Sequence, residues 1–320
     1  MTAVDPWEGQ DVGGVQAGEG AAIQVTDLVM NYGRERAVDG LSLMVPVGSV
    51  FGFLGPNGAG KTTTIKTLLG FRRPDGGSGQ VLGLDIVRQS AELRARVGYV
   101  SEVGGLYDHL SVEQMGGFYR STARRWNQST FERFLGSFEL PRRTRVGGLS
   151  RGMRMQLAFA LAMGGEPELL ILDEPTTGLD PVARHELLNA LVTEVAAAGK
   201  TVFFSSHNLT EVEAVADSVA ILRAGRLVLA GDLDDLKQRH KVLKLTYAAP
   251  PAPEEVVALR ALKGVRRLEQ EGRSLRLSAS GDVGAVIRAV RAQPGALRDL
   301  EIVDQNLEDL FLDLMRKDAR

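Results

Sequence analysis

Gly55-Pro-Asn-Gly-Ala-Gly-Lys-Thr62 sets two glycines around four residues and follows them with a lysine and a hydroxyl residue. That spacing is the pattern of a loop that cradles phosphates. Gly55, Gly58 and Gly60 let the backbone turn tightly and come close to a ligand, with Pro56, Asn57 and Ala59 between them. The loop N–H groups would then face a phosphate chain at the positive end of the helix that follows. Lys61 has the reach for β- and γ-phosphates, and the Thr62 hydroxyl suits Mg²⁺. The flanks agree: Val50-Phe-Gly-Phe-Leu54 reads as a buried strand, and Thr62 to Leu69 as a helix.

Composition narrows the classes. The 320 residues allow one main domain and a smaller one. A formal net charge of −2 argues against a broad nucleic-acid footprint. The chain has no cysteine, which excludes disulfides and thiolate metal sites. Its longest apolar runs, such as Leu157 to Met163, fall short of the about 20 residues that span a bilayer. Residues 1–20 are Gly-rich and acidic without an apolar stretch, so a disordered tail is expected there and not a signal peptide.

Ile23 to Val29 and Leu41 to Val45 read as a strand pair, and Val81 to Leu84 and Val97 to Val100 as short strands. Ser111 to Phe138 is mostly helical in pattern, and a further helix runs from about Ser150 to Met163. Strand and helix then alternate: Leu169 to Leu172, Pro181 to Ala198, Thr201 to Ser205 and Leu209 to Ala216. Paired strands follow at Ser218 to Leu222 and Leu227 to Leu229. This layout predicts an α/β core sheet with an inserted helical lobe. The composition shifts at Ala248-Ala-Pro-Pro-Ala-Pro253, and past Lys241 the pattern reads βαββαβ, the split βαβ arrangement. A closing helix carries Leu307, Leu310, Phe311 and Leu314 on one face, as expected of a helix docked on its own domain.

Leu169-Leu-Ile-Leu-Asp-Glu174 is an apolar strand ending in two acids. A carboxylate so delivered can hold a nucleotide-bound Mg²⁺, the role read for Asp173. Glu174 then stands where a carboxylate orients or deprotonates an attacking water. The plain alternative is a strand-end turn with two solvated acids. Leu149-Ser-Arg-Gly-Met153 opens the helix Arg154-Met-Gln-Leu-Ala-Phe-Ala-Leu-Ala162, with Ser150 as a natural N-cap. A capped helix is the bland reading; a second anion site is the sharper one.

From about Ile23 to Leu236 the chain resembles the nucleotide-binding subunit of ATP-binding-cassette transporters. Residues 55–62 and Asp173-Glu174 match that family's Walker A and Walker B motifs. Leu149 to Met153 resembles its signature, Gly178-Leu-Asp-Pro181 its D-loop, and His207 in Ser205-Ser-His207 its switch histidine. Tyr32 in Asn31-Tyr-Gly33 falls where the family places an aromatic that stacks on adenine. The resemblance implies a P-loop NTPase core, with an antiparallel β subdomain, a helical subdomain over about 102–165 and a small C-terminal α+β domain. Its implied boundaries are a tail at 1–20, the nucleotide-binding domain at 21–240 and the accessory domain at 241–320. It implies ATP and Mg²⁺ as ligands. Catalytic roles fall to Glu174, His207 and Lys61, and nucleotide contacts to Tyr32, Gly55, Pro56, Asn57, Gly58, Ala59, Gly60, Lys61, Thr62, Thr63, Ser150 and Gly152. Metal contacts fall to Thr62, Asp173 and Glu102.

Three positions depart from the pattern. Arg151 stands where the second signature glycine is frequent, and Met153 where glutamine is common. After the strand Val97 to Val100 the family commonly has glutamine, and here the residues are Ser101-Glu102. The resemblance also implies a head-to-tail pair of subunits, each ATP held between one subunit's Walker A and the other's signature. It implies a separate membrane permease as partner, docked near Gly104-Gly-Leu-Tyr-Asp108, and a peripheral place on the cytoplasmic face of the membrane. Asn306-Leu-Glu-Asp-Leu-Phe311 is similar to tails of the bacterial drug-exporter branch, so export of a drug-like or lipid-like compound is expected. The competing reading is a soluble ATPase of the same family acting on ribosomes or nucleic acid. A single phosphate loop, no sustained heptads and no basic patch count against it.

Overall fold

Apolar runs that end in Gly or charged residues make the strands, and their order places the phosphate loop. The computed structural model describes residues 20–102, 105–196, 199–293 and 297–315. Residues 1–19 of the expected tail, Gly104 and the side chain of Leu314 lie outside the described residues. The chain divides into two units between Gly231 and Asp232, which assigns the helix Leu233–Arg239 to the second.

In the first unit, β1 (Ala21–Tyr32) and β2 (Glu35–Pro46) form an antiparallel hairpin closed at Gly33-Arg34. β3 (Val50–Leu54) leads into the loop and α1 (Lys61–Leu68) leaves it. β4 (Gly76–Val81) and β5 (Leu84–Asp85) join the hairpin in a sheet of order β2-β1-β4-β5. After α2 (Ser90–Arg94) and β6 (Val97–Val100), the helices α3 (Val112–Thr122), α4 (Gln128–Ser137) and α5 (Arg151–Gly164) form an insertion. β7 (Leu169–Asp173), α6 (Pro181–Ala190), β8 (Thr201–Ser206), α7 (Leu209–Val215), β9 (Ser218–Arg223) and β10 (Arg226–Asp232) complete the unit.

The main sheet has six strands in the order β10-β9-β3-β8-β7-β6. β3 runs parallel to β8 and β9, and β7 parallel to β6 and β8. Every residue of β3, β7 and β8 is buried, as suits parallel strands covered on both faces. Phe51, Phe53 and Phe203 pack in one core with Ile171 and Ala220. The C-terminal ends of β3, β7 and β8 therefore emerge side by side, the place where open parallel sheets bind ligands. The inserted lobe has its own aromatic centre, with Phe159 of α5 lying 5.2 Å from Phe134 and 5.9 Å from Phe138.

The expected strand Val81 to Leu84 is instead two strands joined at Leu82-Gly83, both with positive φ (51° and 74°). β4 begins in Gly76-Gly-Ser-Gly79, which carries no apolar alternation to reveal it. It stays small for packing: a Cβ on Gly79 would lie 2.9 Å from Ile86 Cδ1.

The second unit runs α8 (Leu233–Arg239), β11 (His240–Tyr247), α9 (Pro253–Arg260), β12 (Val265–Glu271) and β13 (Ser274–Ser280). α10 (Val283–Arg291), β14 (Leu297–Asp304) and α11 (Leu307–Met315) follow. From β11 to β14 this is the βαββαβ order, and the sheet order β12-β13-β11-β14 is antiparallel throughout. Leu243, Leu245, Leu275 and Leu277 meet Leu259 of α9 and Val286 and Val290 of α10 in its core. Leu307 and Leu310 of α11 are buried.

Candidate active site

Gly60 caps α1 in the left-handed region at φ 104°, and a Cβ there would come within 2.4 Å of the Ala37 carbonyl oxygen. Only glycine satisfies both demands. Next to it, the buried Lys61 Nζ donates to the Gly55 carbonyl at 2.6 Å and stands 3.0 Å from Glu174 Oε1. The Thr62 hydroxyl donates to Asp173 Oδ1 at 3.1 Å, and Ser205 Oγ donates to the same oxygen at 2.8 Å. Asp173 and Ser205 are register partners at the ends of β7 and β8, which is why they meet. Ser205 Oγ also accepts from the Glu174 N–H at 3.0 Å.

Glu174 is the first residue beyond β7 and has φ 51°, unusual for a residue with a Cβ. Such strain persists where neighbours over-determine it, and here they do. His207 Nδ1 lies 2.8 Å from Glu174 Oε2, and Thr177 Oγ1 donates to that oxygen at 3.0 Å. Burial pushes the carboxyl upward, but the Lys61 ammonium and the hydrogen bonds with His207 and Thr177 outweigh it. Glu174 is therefore held below the usual carboxylate range. Oε1 lacks a well-angled hydrogen bond; the Lys61 charge at 3.0 Å is what holds it.

Thr62 Oγ1 and Asp173 Oδ1 are hard oxygen donors, and two adjacent ligands of one octahedral Mg²⁺ stand about 3 Å apart. At 3.1 Å apart, Thr62 and Asp173 are the residues that would hold that ion.

The turn after Glu174 is anchored from behind. Thr176 Oγ1 donates to the buried Glu211 at 2.5 Å, and Asn208 Nδ2 donates to Glu211 at 2.7 Å. Arg184 Nε faces the same carboxylate at 3.1 Å as a charge contact without hydrogen-bond geometry. Ser205, Thr177 and Glu211 carried no role in the sequence reading. Placing β7 beside β8 in register would have exposed Ser205, whereas Glu211 looks like any acid in the first turn of a capped helix.

The remaining candidates fall elsewhere. Ser150 caps α5 by accepting from the Met153 N–H at 3.1 Å. A Cβ on Gly152 would lie 2.7 Å from Ala183 Cβ, so the start of α5 packs on the start of α6, where Asp180 accepts from the Val182 and Ala183 N–H groups. Glu102 is paired with Arg151 Nη2 at 3.8 Å and not with the Thr62–Asp173 group. Tyr32 is 44% exposed, with the Arg72 guanidinium 4.0 Å above its ring. A hydrogen bond with Thr63 is the main reason its phenol is held below the usual range, with help from Arg72 and Lys66 against partial burial. Tyr32 thereby touches the helix turn that begins with Lys61 and Thr62.

A central strand, a glycine-capped helix bearing Lys61 and Thr62, and an acid pair at the end of β7, one strand removed from β3, define a P-loop ATPase. Comparison with known proteins sharpens the class. The sequence profile of the ABC transporter family matches residues 38–177. The daunorubicin resistance ATP-binding protein DrrA3 of Streptomyces coeruleorubidus is 35% identical over 312 residues, 93% of this chain and 97% of that protein. The bacitracin transport ATP-binding protein BcrA of Bacillus licheniformis is 37% identical over 221 residues, 68% of this chain and 72% of its own. A solved ATP-binding subunit of an ABC transporter superposes with a TM-score of 0.62 at 31% identity, over 68% of this chain and 92% of that one. The chain belongs to the ABC transporter family of ATP-binding subunits and is an ATPase.

Proposed function

We propose that this ATPase powers export of an amphipathic small molecule through a separate membrane permease, acting with a second copy of itself at the cytoplasmic face of the membrane. The observation that carries the reading is the ring of groups around Glu174: Lys61, His207 and Thr177 on its carboxylate, with Thr62 and Asp173 beside it. In this reading Lys61 turns to the β- and γ-phosphates when nucleotide enters. Glu174 then loses its principal counter-charge and gains basicity towards a water. That water attacks the γ-phosphorus, the bond to the ADP oxygen breaks, and Glu174 takes the proton. His207 reports the γ-phosphate, and Thr62 and Asp173 hold Mg²⁺, which when bound neutralises charge on the phosphate oxygens. Tyr32 carries the adenine. Ser150 and Gly152 serve the nucleotide of the second copy.

Export is favoured over action on ribosomes or nucleic acid because these relatives are named for drug resistance or transport. Among the described residues no helix is long and apolar enough to cross a membrane, and in this reading the separate permease supplies the path. The half-exposed rings of Tyr107 and Phe118, edge-on at 5.2 Å, offer an apolar surface for it. The test is co-purification from the native membrane followed by transport in vesicles. A permease should co-purify, and Glu174→Gln should abolish ATP-driven uptake into inside-out vesicles. Recovery of ribosomes in place of a permease would overturn the reading.

A further inference from the structure

We infer that Arg151 is a positioning residue of the hydrolytic site, a cation that ties the turn after Glu174 to the loop after β6. The inference builds on the role proposed for Glu174.

Arg151 is the first residue of α5, and its side chain lies flat on Gly178. A Cβ on Gly178 would stand 3.0 Å from Arg151 Cζ and Nε and 3.1 Å from Nη1. Gly178 also has φ 72°, so it is glycine both for its conformation and for the guanidinium above it. It belongs to the same turn as Thr176, held by Glu211, and Thr177, which donates to Glu174. At its other end the guanidinium faces Glu102 Oε1, with Nη2 at 3.8 Å. Arg151 and Glu102 both line a cavity of about 460 Å³ that also takes in Ser101, Leu106 and Met155.

The root of Arg151 is fixed. Gly152 packs on Ala183, and Gln156 Nε2 donates to Glu186 Oε2 at 2.7 Å, which locks α5 to α6 over more than one turn. The two positions at which the sequence departs from the family pattern in charge, Arg151 and Glu102, thus face each other. Both side chains are about half exposed, so the ion pair itself adds little stability. Its physical effect is geometric. A planar guanidinium pressed on the Gly178 backbone restrains the turn that aims Thr177 at Glu174, and Glu102 holds that plane in place.

The experiment is steady-state MgATP hydrolysis by the full chain carrying Arg151→Ala, Arg151→Lys, Glu102→Gln, or Arg151→Ala with Glu102→Gln. Arg151→Ala is expected to lower kcat about tenfold with KM within about twofold of the parent. Arg151→Lys should recover only part of it, because an ammonium cannot lie flat on Gly178. Glu102→Gln should lower kcat about threefold, and the double variant should be no slower than Arg151→Ala alone. Melting temperatures should stay within about 2 °C of the parent, as for a surface change. Unchanged kcat in Arg151→Ala, a loss confined to KM, or additive losses in the double variant would overturn the inference. Glu174→Gln run alongside separates the two proposals: if it keeps parental turnover, the role of Glu174 falls, whatever the Arg151 series gives.

Discussion

At the scale of single residues, the Lys61–Glu174 pair carries most of the consequence. Both side chains are nearly inaccessible, at 6% and 8% exposure, so each depends on the other for compensation of its charge. Lys61→Ala leaves a buried carboxylate without its lysine counter-charge, and breaking a buried pair typically costs about 3–5 kcal/mol. Urea unfolding should show that loss, and adding Glu174→Gln should return a good part of it. The pH dependence follows in sign. Because the folded carboxyl is held below the usual range, its contribution is present at neutral pH and fades as pH falls through the depressed value. Glu174→Gln should therefore remove part of the acid-side loss of stability seen in the parent. The same substitution should lower kcat by roughly 10²- to 10⁴-fold, the span general-base catalysis supplies. Lys61, Thr62, Asp173 and Glu174 could be picked out because their motifs adjoin apolar strands, and His207 only through the family resemblance. Thr177 was not, since a threonine in a polar turn carries no such mark.

Elements meet their sequence signals where burial is complete and lose them where glycine replaces a side chain. β3 and β7 are nearly continuous apolar runs and β8 has an apolar centre at Val202-Phe-Phe204, and all three were legible at once. β4 was not, because what fits against Val25 and Ile86 there is the lack of a Cβ at Gly79, which no hydrophobic pattern records. The meeting of α5 and α6 has the same character. Their N-termini come together through Gly152 and Ala183, with Ser150 and Asp180 as the two caps. Ser150 was visible in the sequence as a cap, but the meeting of the two caps was not, because 30 residues separate Ser150 from Asp180 along the chain. Gly152→Ala places a methyl 2.7 Å from Ala183 Cβ. Overpacking of that size costs about 1–3 kcal/mol and should spread the two helices. Thermal unfolding should show the loss, and Gly152→Ala combined with Ala183→Gly should restore it.

For the molecule as a whole, the groups expected to handle nucleotide occupy two separate places in one chain. Lys61, Thr62, Asp173, Glu174 and His207 are joined by direct contacts. Ser150 and Gly152 make their contacts instead with Met153, Ala183 and Asp180, at the junction of α5 and α6. A γ-phosphate held by Lys61 alone has donors from one side only, and charge developing on its oxygens gains most from donors already in place around it. The proposed second copy, presenting its Ser150 region, would supply those donors, and nucleotide bridging the copies would favour the associated state. Two outcomes are expected. Hydrolysis per chain should rise with chain concentration and level off once pairs dominate. Glu174→Gln with MgATP should form a pair detectable by light scattering, and Ser150→Ala should weaken that pair while costing the fold only about 1 kcal/mol as a lost cap. Hydrolysis per chain that stays constant down to dilutions at which light scattering finds single chains would place the whole reaction within one copy.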